Sequence, residues 1–225
     1  MDWVTVSALV SAGGTLVLAG ATFASVRSAN RAARVAERSL LAGLRPLLNA
    51  SRVDDRPQKV VFRDERWFEV LGGGAIAEAD DEAVYLIISV RNAGTGLAVL
   101  HGWHFEPENA WTEDHASLNT FTRLTRDLYI PPGDIGFWQG TFRDPTTSQY
   151  RDARRAIESQ ATMTVDVLYG DFEGGQRSIS RFAIWPHEEG RWLATVGRHW
   201  VLDRVDPRDD KPPIPSSLRS RLTPS

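Results

Sequence analysis

Uncharged residues fill the start of the chain and give way abruptly to a stretch rich in arginine. Residues 3–26 contain no charged side chain, and the arginines that follow begin at Arg27. A helix of this length, at about 1.5 Å per residue, extends about 36 Å, which is enough to cross a hydrocarbon core of about 30 Å. The pattern predicts a transmembrane helix over residues 1–26.

Two other interpretations of this segment remain open. Its glycines and hydroxyl residues dilute its apolarity, so a helix buried in a soluble core is one alternative, although such helices rarely lack charge on every face over this length. Ala19, Gly20 and Ala21 could form the cleavage site of a signal peptide. Signal peptides open with positive charge, whereas no Lys or Arg precedes Arg27 here, so the pattern favours the span.

The arginines predict which way the chain crosses. Positive residues accumulate on the cytoplasmic side of membrane spans, and here they flank only the C-terminal end of the uncharged segment. The absence of cysteine agrees with a reducing compartment. We therefore expect a single-pass protein of the cell membrane with its C-terminal domain in the cytoplasm. The residues that carry this prediction are Arg27, Arg31, Arg34, Arg38 and Arg45.

Residues 27–46 are predicted to form a basic amphipathic juxtamembrane helix that ends at Pro46. At about 100° per residue the arginines share one face, which suits the anionic inner leaflet of the lipid bilayer. The opposite face carries a stripe of Ala and Leu with the spacing of a short coiled coil. This stripe either pairs with a second copy, giving a homodimer, or packs on the protein's own soluble domain. Its residues are Ala29, Ala33, Ala36, Leu40 and Leu44.

Short runs of β-branched and aromatic residues, separated by turn residues, dominate residues 47–205. They predict a mainly β domain, an immunoglobulin-like antiparallel β-sandwich with one or two connecting helices. Residues 147–160 predict a helix, residues 116–126 predict either a short helix or a structured loop, and residues 206–225 predict a disordered tail. The predicted strands cover residues 59–63, 67–71, 84–91, 97–105, 136–143, 162–169, 177–185 and 192–202.

Three fragments in the β domain carry a resemblance to a known group of proteins. They are VRNAGTGLA at residues 90–98, IPPGD at 130–134, and LYGD at 168–171 with Gly174 and Gly175 after it. In this order they resemble uncharacterised membrane-anchored proteins of high-GC bacteria, which have one N-terminal span, a basic helix and an immunoglobulin-like domain. The resemblance implies the anchor and the fold, and it implies no activity. Asn92 would cap a turn through its side chain, while Gly94 and Gly96 would permit positive φ.

Residues that point to catalysis or metal binding are few. His101 and His104 lie three apart in a predicted strand, so one metal ion could bind both only with a bulge at Gly102. The chain has no cysteine and no phosphate-binding, dinucleotide-binding or hydrolase motif. Glycines 72–74 predict a turn, and the acidic residues at 78 and 80–82 predict a solvated loop. We therefore expect no catalytic residue, no metal and no cofactor.

The eight tryptophans and the net charge of −3 also bear on function. Trp67, Trp138, Trp185, Trp192 and Trp200 fall in predicted strands, where their rings would fill the core of a sandwich. Because the net charge is negative and the arginines cluster near the membrane, we do not expect nucleic acid binding.

Three functional hypotheses follow from these observations. The favoured one is a non-enzymatic interaction or scaffold protein, held at the inner leaflet and bound to an unknown protein partner. The second is an enzyme or a small-ligand-binding protein whose polar groups meet only in three dimensions, for example Asp171 with His199 or Asp127. The third is an exported sugar-binding module, which requires the opposite topology.

Overall fold

The chain divides into two compact units, Met1–Gly43 and Leu44–Ser225. The structure, a computed structural model, describes residues 2–107, 112 and 114–206, without the side chains of residues 3–12, 16, 17, 38, 41, 42 and 189. The tail predicted to be disordered, residues 206–225, lies outside the described residues except for Asp206.

The first unit is a single continuous helix, α1, over Trp3–Gly43. It runs through the predicted span and most of the predicted basic segment, since residues 3–43 contain no proline and are rich in the helix formers Ala and Leu. Leu18 and Phe23 are each 69% exposed on its surface. Among the residues that the structure describes, no helix combines the length and the apolarity that crossing a membrane requires.

The second unit is built mainly from strands, with one α-helix and two short 3-10 turns among its described residues. The strands are β1 (Leu48–Ala50), β2 (Gln58–Val61), β3 (Trp67–Val70), β4 (Gly74–Ala79), β5 (Val84–Asn92), β6 (Ala98–Glu106), β7 (Thr122–Ile130), β8 (Ile135–Phe142), β9 (Met163–Gly170), β10 (Arg177–Pro186) and β11 (Trp192–Val201). The helix α2 is Ser148–Glu158, and the 3-10 turns are Leu118–Thr120 and Glu188–Gly190.

Most of the strands form one curled antiparallel sheet. Its path runs from β8 through β5 and β4 to β11, and then through β10, β9 and β6 to β7, while β1 pairs with the end of β5. β2 and β3 form a separate two-stranded ribbon. The join between β4 and β11 is short, because only Trp192 with Ala75 and Leu193 with Gly74 are paired in the described residues.

Two apolar clusters lie on opposite faces of β5. Leu86 and Ile88 belong to the main core, which also contains residues of β6, β8, β9, β10 and α2. Tyr85 and Ile87 belong to the second cluster, under the β2–β3 ribbon. The ribbon residues in that cluster are Val60, Phe62, Phe68 and Val70. Burial on both faces explains why β5 is apolar at almost every position and lacks the alternation of a half-exposed strand.

The prediction of a mainly β domain with antiparallel strands and a connecting helix is confirmed. The finer prediction of an immunoglobulin-like sandwich is not confirmed, since one path of pairing connects the strands into a single curled sheet. The helix predicted at residues 147–160 is present as α2, and the Thr147 hydroxyl caps it by accepting from Tyr150 N–H at 3.3 Å. Residues 116–126 contain a 3-10 turn and the start of β7, a strand that the sequence analysis did not predict.

The tryptophans expected in the core divide into buried and exposed groups. Trp138, Trp192 and Trp200 are buried, and Trp185 is half-buried. Trp67 is 62% exposed, so its predicted core position is wrong. The reason is that β3 belongs to a two-stranded ribbon, which buries only one of its faces against the sheet.

Candidate functional site

β7 and β8 follow each other in the chain, but in the described residues each pairs with a different strand. β7 pairs with β6 and β8 pairs with β5, toward the two opposite ends of the sheet path. The turn between them is fixed to β5, since Gly133 N–H donates to Asn92 O at 2.8 Å and Asn92 N–H donates to Asp134 O at 3.0 Å. No other strand among the described residues pairs with the second edge of β7 or of β8, and the two strands diverge away from the turn that joins them.

A cleft of about 440 Å³ lies between these two strands. Residues 122–126 and 128 line it from β7, and residues 139–141 line it from β8. Its volume falls within the range of about 300–1,000 Å³ that is usual for ligand pockets. The apolar residues of the lining are Val61, Phe62, Trp103, Leu124 and Leu128.

Arginine side chains give the cleft a positive charge. The arginines of the lining are Arg63, Arg123, Arg126 and Arg143. Arg143 forms an ion pair with Asp64 at 2.8 Å, and the described residues hold no ion pair for the other three. The Arg143 guanidinium and the Tyr85 hydroxyl, which donates to Asp64 Oδ2 at 2.6 Å, lower the pKa of Asp64 to about 2. Most of the arginine charge is thus available to an anionic ligand.

Two buried polar atoms of the lining have no hydrogen-bond partner within the described residues. They are Oε1 of Gln139 and Oγ1 of Thr141, both on β8. Leaving a buried polar atom without a partner costs about 1–3 kcal/mol. A ligand that donates hydrogen bonds along β8 would satisfy these atoms and recover part of that cost.

A large irregular bulge in β7 shapes the opposite wall of the cleft. Residues 124–127 of β7 leave the regular pairing and lie opposite the single residue His101 of β6. Bulges of this kind redirect side chains and are frequent beside binding sites. Thr125 and Arg126, both within the bulge, line the cleft.

The arginines predicted to set the membrane topology lie in two different structural environments. Arg27, Arg31 and Arg34 are exposed on α1. Arg38 also lies in α1, and its side chain is outside the described residues. These four positions keep the predicted arrangement along one helix.

Arg45 differs from the other predicted arginines, because α1 ends at Gly43 and not at Pro46. Its guanidinium donates from Nη1 to Asp203 Oδ1 at 3.0 Å and from Nη2 to Asp203 Oδ2 at 2.7 Å. This pairing lowers the pKa of the Asp203 carboxyl. Arg45 therefore connects the start of the second unit to the segment after β11.

His101 and His104, the pair of histidines closest in sequence, have different surroundings. His104 Nε2 lies 2.9 Å from Glu106 Oε1. Burial lowers the pKa of His101, and the negative charges of Asp127 and Asp171 oppose that shift. The described residues contain no group of three or more side chains suited to hold a metal ion.

A serine and a histidine meet in a buried polar cluster. Ser180 Oγ lies 3.2 Å from His199 Nδ1 and 3.1 Å from Tyr169 Oη. Ser180 has no exposed surface, and its hydroxyl donates to Leu48 O at 2.9 Å. A nucleophile has to reach its substrate, so this hydroxyl is better suited to joining β1 to β9 and β10 than to catalysis.

The acidic residues considered as functional candidates have local structural contacts. Asp171 Oδ1 accepts from Gln176 N–H at 3.0 Å within the hairpin between β9 and β10. Asp80 Oδ1 accepts from Ala83 N–H at 2.7 Å in the turn before β5. Asp80 and Glu78 also form ion pairs with Arg66, so the predicted loop of acidic residues is partly structured.

The cleft is not evident in the sequence for two reasons. Its arginines come from separate parts of the sequence, and six of its lining residues belong to β7, which was not predicted. The four-residue spacing of Leu124 and Leu128 fits a helix as well as a strand, so the local pattern did not distinguish β7. The meeting of β7 with β8 across a gap depends on pairing with distant strands, which no local pattern records.

Comparison with known proteins assigns neither a family to the chain nor a function to the cleft. No protein-family model matches the chain, and no curated protein matches it. Among solved structures, the chain is similar to a protein from Archaeoglobus fulgidus at 9% sequence identity and a TM-score of 0.23. That match covers 58% of this chain and 95% of the other chain. A TM-score this low supports no argument about fold or function.

Proposed function

We propose that this protein is a non-enzymatic interaction protein, held at the inner face of the cell membrane by α1 and binding a partner through its β unit. The observation that carries the partner-binding role is the cleft between β7 and β8, where two unpaired strand edges and unpaired arginines are open to a ligand. Natural β proteins usually cover or pair such edges, so an open pair of edges favours a binding role.

The membrane part of the proposal is supported by the sequence of α1. Residues 3–26 are uncharged, and Arg27, Arg31 and Arg34 follow on the exposed surface of the same helix. Each arginine near an anionic leaflet contributes about 1 kcal/mol to membrane binding. A cytoplasmic position of the β unit follows from these arginines under the proposal.

Kinship with bacterial immunoglobulin-like domains is part of the same proposal. It is supported by Asn92, whose side chain caps the turn of the first fragment by accepting from Gly94 N–H at 3.0 Å. Asp171 plays a similar part in the hairpin of the third fragment. Pairing of two copies through the Ala/Leu stripe of α1 also belongs to the proposal, and disulfide crosslinking of Ala33→Cys in membranes tests it.

Topology reporters test the anchor. We expect a reporter active only in the cytoplasm to give signal when fused to the C-terminus, and a reporter active only after export to give none. Replacing Arg27, Arg31 and Arg34 with glutamate should shift signal toward the exported reporter, whereas Arg151→Glu with Arg155→Glu in α2 should not. Export signal from the unaltered chain would overturn the proposed orientation.

Capture of a partner tests the interaction role. The full chain, crosslinked in living cells and purified in detergent, should enrich at least one protein over a control that contains residues 1–46 alone. Identical protein sets from the two samples would contradict the proposal.

A further inference from the structure

We propose that the cleft between β7 and β8 binds an extended acidic peptide segment of a partner protein, which pairs its backbone with the free edge of β8. This inference rests on the proposed interaction role and specifies where the partner binds and what chemistry it has. β8 keeps an unbroken register with β5 from Ile135 to Phe142, so its backbone is a regular strand over these residues. β7 is interrupted by its bulge and is the less suitable edge.

Addition of a strand to an open sheet edge is a common way to bind peptides. Backbone hydrogen bonds provide affinity, and pockets for alternate side chains provide specificity. The segment of β8 from residue 139 to residue 141 lines the cleft. A peptide bound here would fill the gap between β7 and β8. It would thereby connect the two ends of the curled sheet.

Charge complementarity identifies the partner as acidic. Arg123 and Arg126 belong to β7, Arg143 directly follows β8, and Arg63 follows β2. Among the described residues, Asp64 is the one carboxylate that forms an ion pair with any of these four arginines, and its partner is Arg143. Acidic side chains of a bound strand would face arginines on both sides, and such complementarity accelerates binding and excludes basic partners.

Apolar lining distinguishes a peptide from a simple anion. Phe62, Trp103, Leu124 and Leu128 form an apolar part of the lining beside the arginines. In a bound strand, successive side chains point in opposite directions. Alternating acidic and apolar residues would therefore match both parts of the lining, whereas a free phosphate would use the arginines alone.

Peptide binding to the full chain, reconstituted in lipid nanodiscs, tests the proposal by fluorescence anisotropy. The probe is a capped nine-residue peptide of alternating glutamate and valine. One comparison peptide has lysine in place of glutamate, and another has N-methyl groups on alternate amides, which removes backbone donors. We expect saturable binding of the glutamate peptide and binding at least about tenfold weaker for both comparison peptides.

Variants of the cleft locate the binding. Arg123→Glu with Arg126→Glu should weaken binding by about tenfold or more, and Thr125→Trp should weaken it by filling the cleft without changing charge. The matched control is Arg151→Glu with Arg155→Glu in α2, which should leave binding unchanged. Circular dichroism of each variant establishes that the fold is retained.

Three results would overturn the inference. They are no binding of the glutamate peptide at about 1 mM, equal binding of the N-methylated peptide, and full displacement of the peptide by inorganic phosphate, which would indicate a small-anion site. Failure here is distinguishable from failure of the interaction role. If cleft variants still capture the crosslinked partner, the interaction role stands and the cleft is not its binding site.

Discussion

Asp166 on β9 and Arg181 on β10 lie opposite each other and form a two-point ion pair, with Oδ1 to Nε and Oδ2 to Nη2 distances of 2.7 Å each. Their side chains are 2% and 7% exposed. Arg181 Nη1 also donates to Thr112 Oγ1 at 2.7 Å, and the guanidinium lies 4.8 Å from the ring centre of Trp200. The pair thus ties the long connection between β6 and β7 to the outer face of the sheet.

Removing one partner of this pair should be strongly destabilising. Arg181→Met or Asp166→Asn leaves a buried group without its partner, and we expect the free energy of unfolding to fall by about 3–5 kcal/mol. Arg155→Met in α2 removes a more exposed ion pair and should cost less than about 1 kcal/mol. Urea unfolding followed by circular dichroism measures both changes. Equal losses for the two arginine variants would show that burial does not control the contribution of the pair.

Asn92→Ala should destabilise the β unit by about 3 kcal/mol, because several buried groups lose their partners at once. The side-chain Oδ1 accepts from Leu47 N–H and Gly94 N–H, while Nδ2 donates to Gly96 O at 2.7 Å and Ile130 O at 3.0 Å. The measurement is again urea unfolding.

The matched control for Asn92 is Asn49→Ala in β1. No hydrogen bond within the described residues uses the Asn49 side chain, so this variant should lose less than about 1 kcal/mol. If Asn92→Ala is no more destabilising than Asn49→Ala, the hydrogen bonds of Asn92 do not stabilise the fold.

Gly96→Ala should be destabilising because of crowding. A Cβ atom at this position would lie 1.6 Å from Leu44 O, so the backbone would have to move, and overpacking of this kind costs about 1–3 kcal/mol or more. At Gly175 the nearest atom to an added Cβ would be Asp171 Oδ2 at 3.8 Å, which is ordinary contact. Gly175→Ala should therefore leave the melting temperature nearly unchanged, whereas Gly96→Ala should lower it by several degrees.

Asp64 should make part of the stability dependent on pH. Its pKa falls from 3.8 to about 2 in the folded protein, so its contribution is fully present above pH 3.8 and is lost as the pH falls toward about 2. Asp64→Asn should lower the free energy of unfolding by about 1 kcal/mol at pH 6, with the difference shrinking below pH 4. Asp81→Asn, at a fully exposed side chain, is the control. A difference between Asp64→Asn and the unaltered protein that stays constant down to pH 2 would contradict this assignment.

The sequence predicted the strands that are apolar and bounded by turn residues, but not those whose own residues carry a weak strand pattern. β5 was predictable from its nearly continuous apolar run, and β10 from its β-branched and aromatic residues Ile179, Phe182, Ile184 and Trp185. β4 was missed because its sequence, GAIAEA, has small residues and no strand signal of its own. It becomes a strand because Ala75 and Ile76 pair with Ile88 and Ile87 of β5.

Glycine is required at both positions after Asn92, but not for the reason that the sequence suggests. Gly94 and Gly96 were expected to adopt positive φ, but neither does so. They are required because the backbone of residues 44–47 passes too close for a side chain. The contact joins segments about 50 residues apart, so local turn chemistry could not indicate it.

The short join between β4 and β11 has a consequence for how the β unit opens. Only two residue pairs, with one more bond from Ala194 N–H to Gly73 O at 3.0 Å, connect these strands in the described residues. Backbone hydrogen bonds therefore contribute little to holding β4 against β11, and the packing of core side chains contributes most. We expect β4 and β11 to separate first, either when the sheet is pulled mechanically or when it opens locally during hydrogen exchange. The longer ladders on both sides should stay paired.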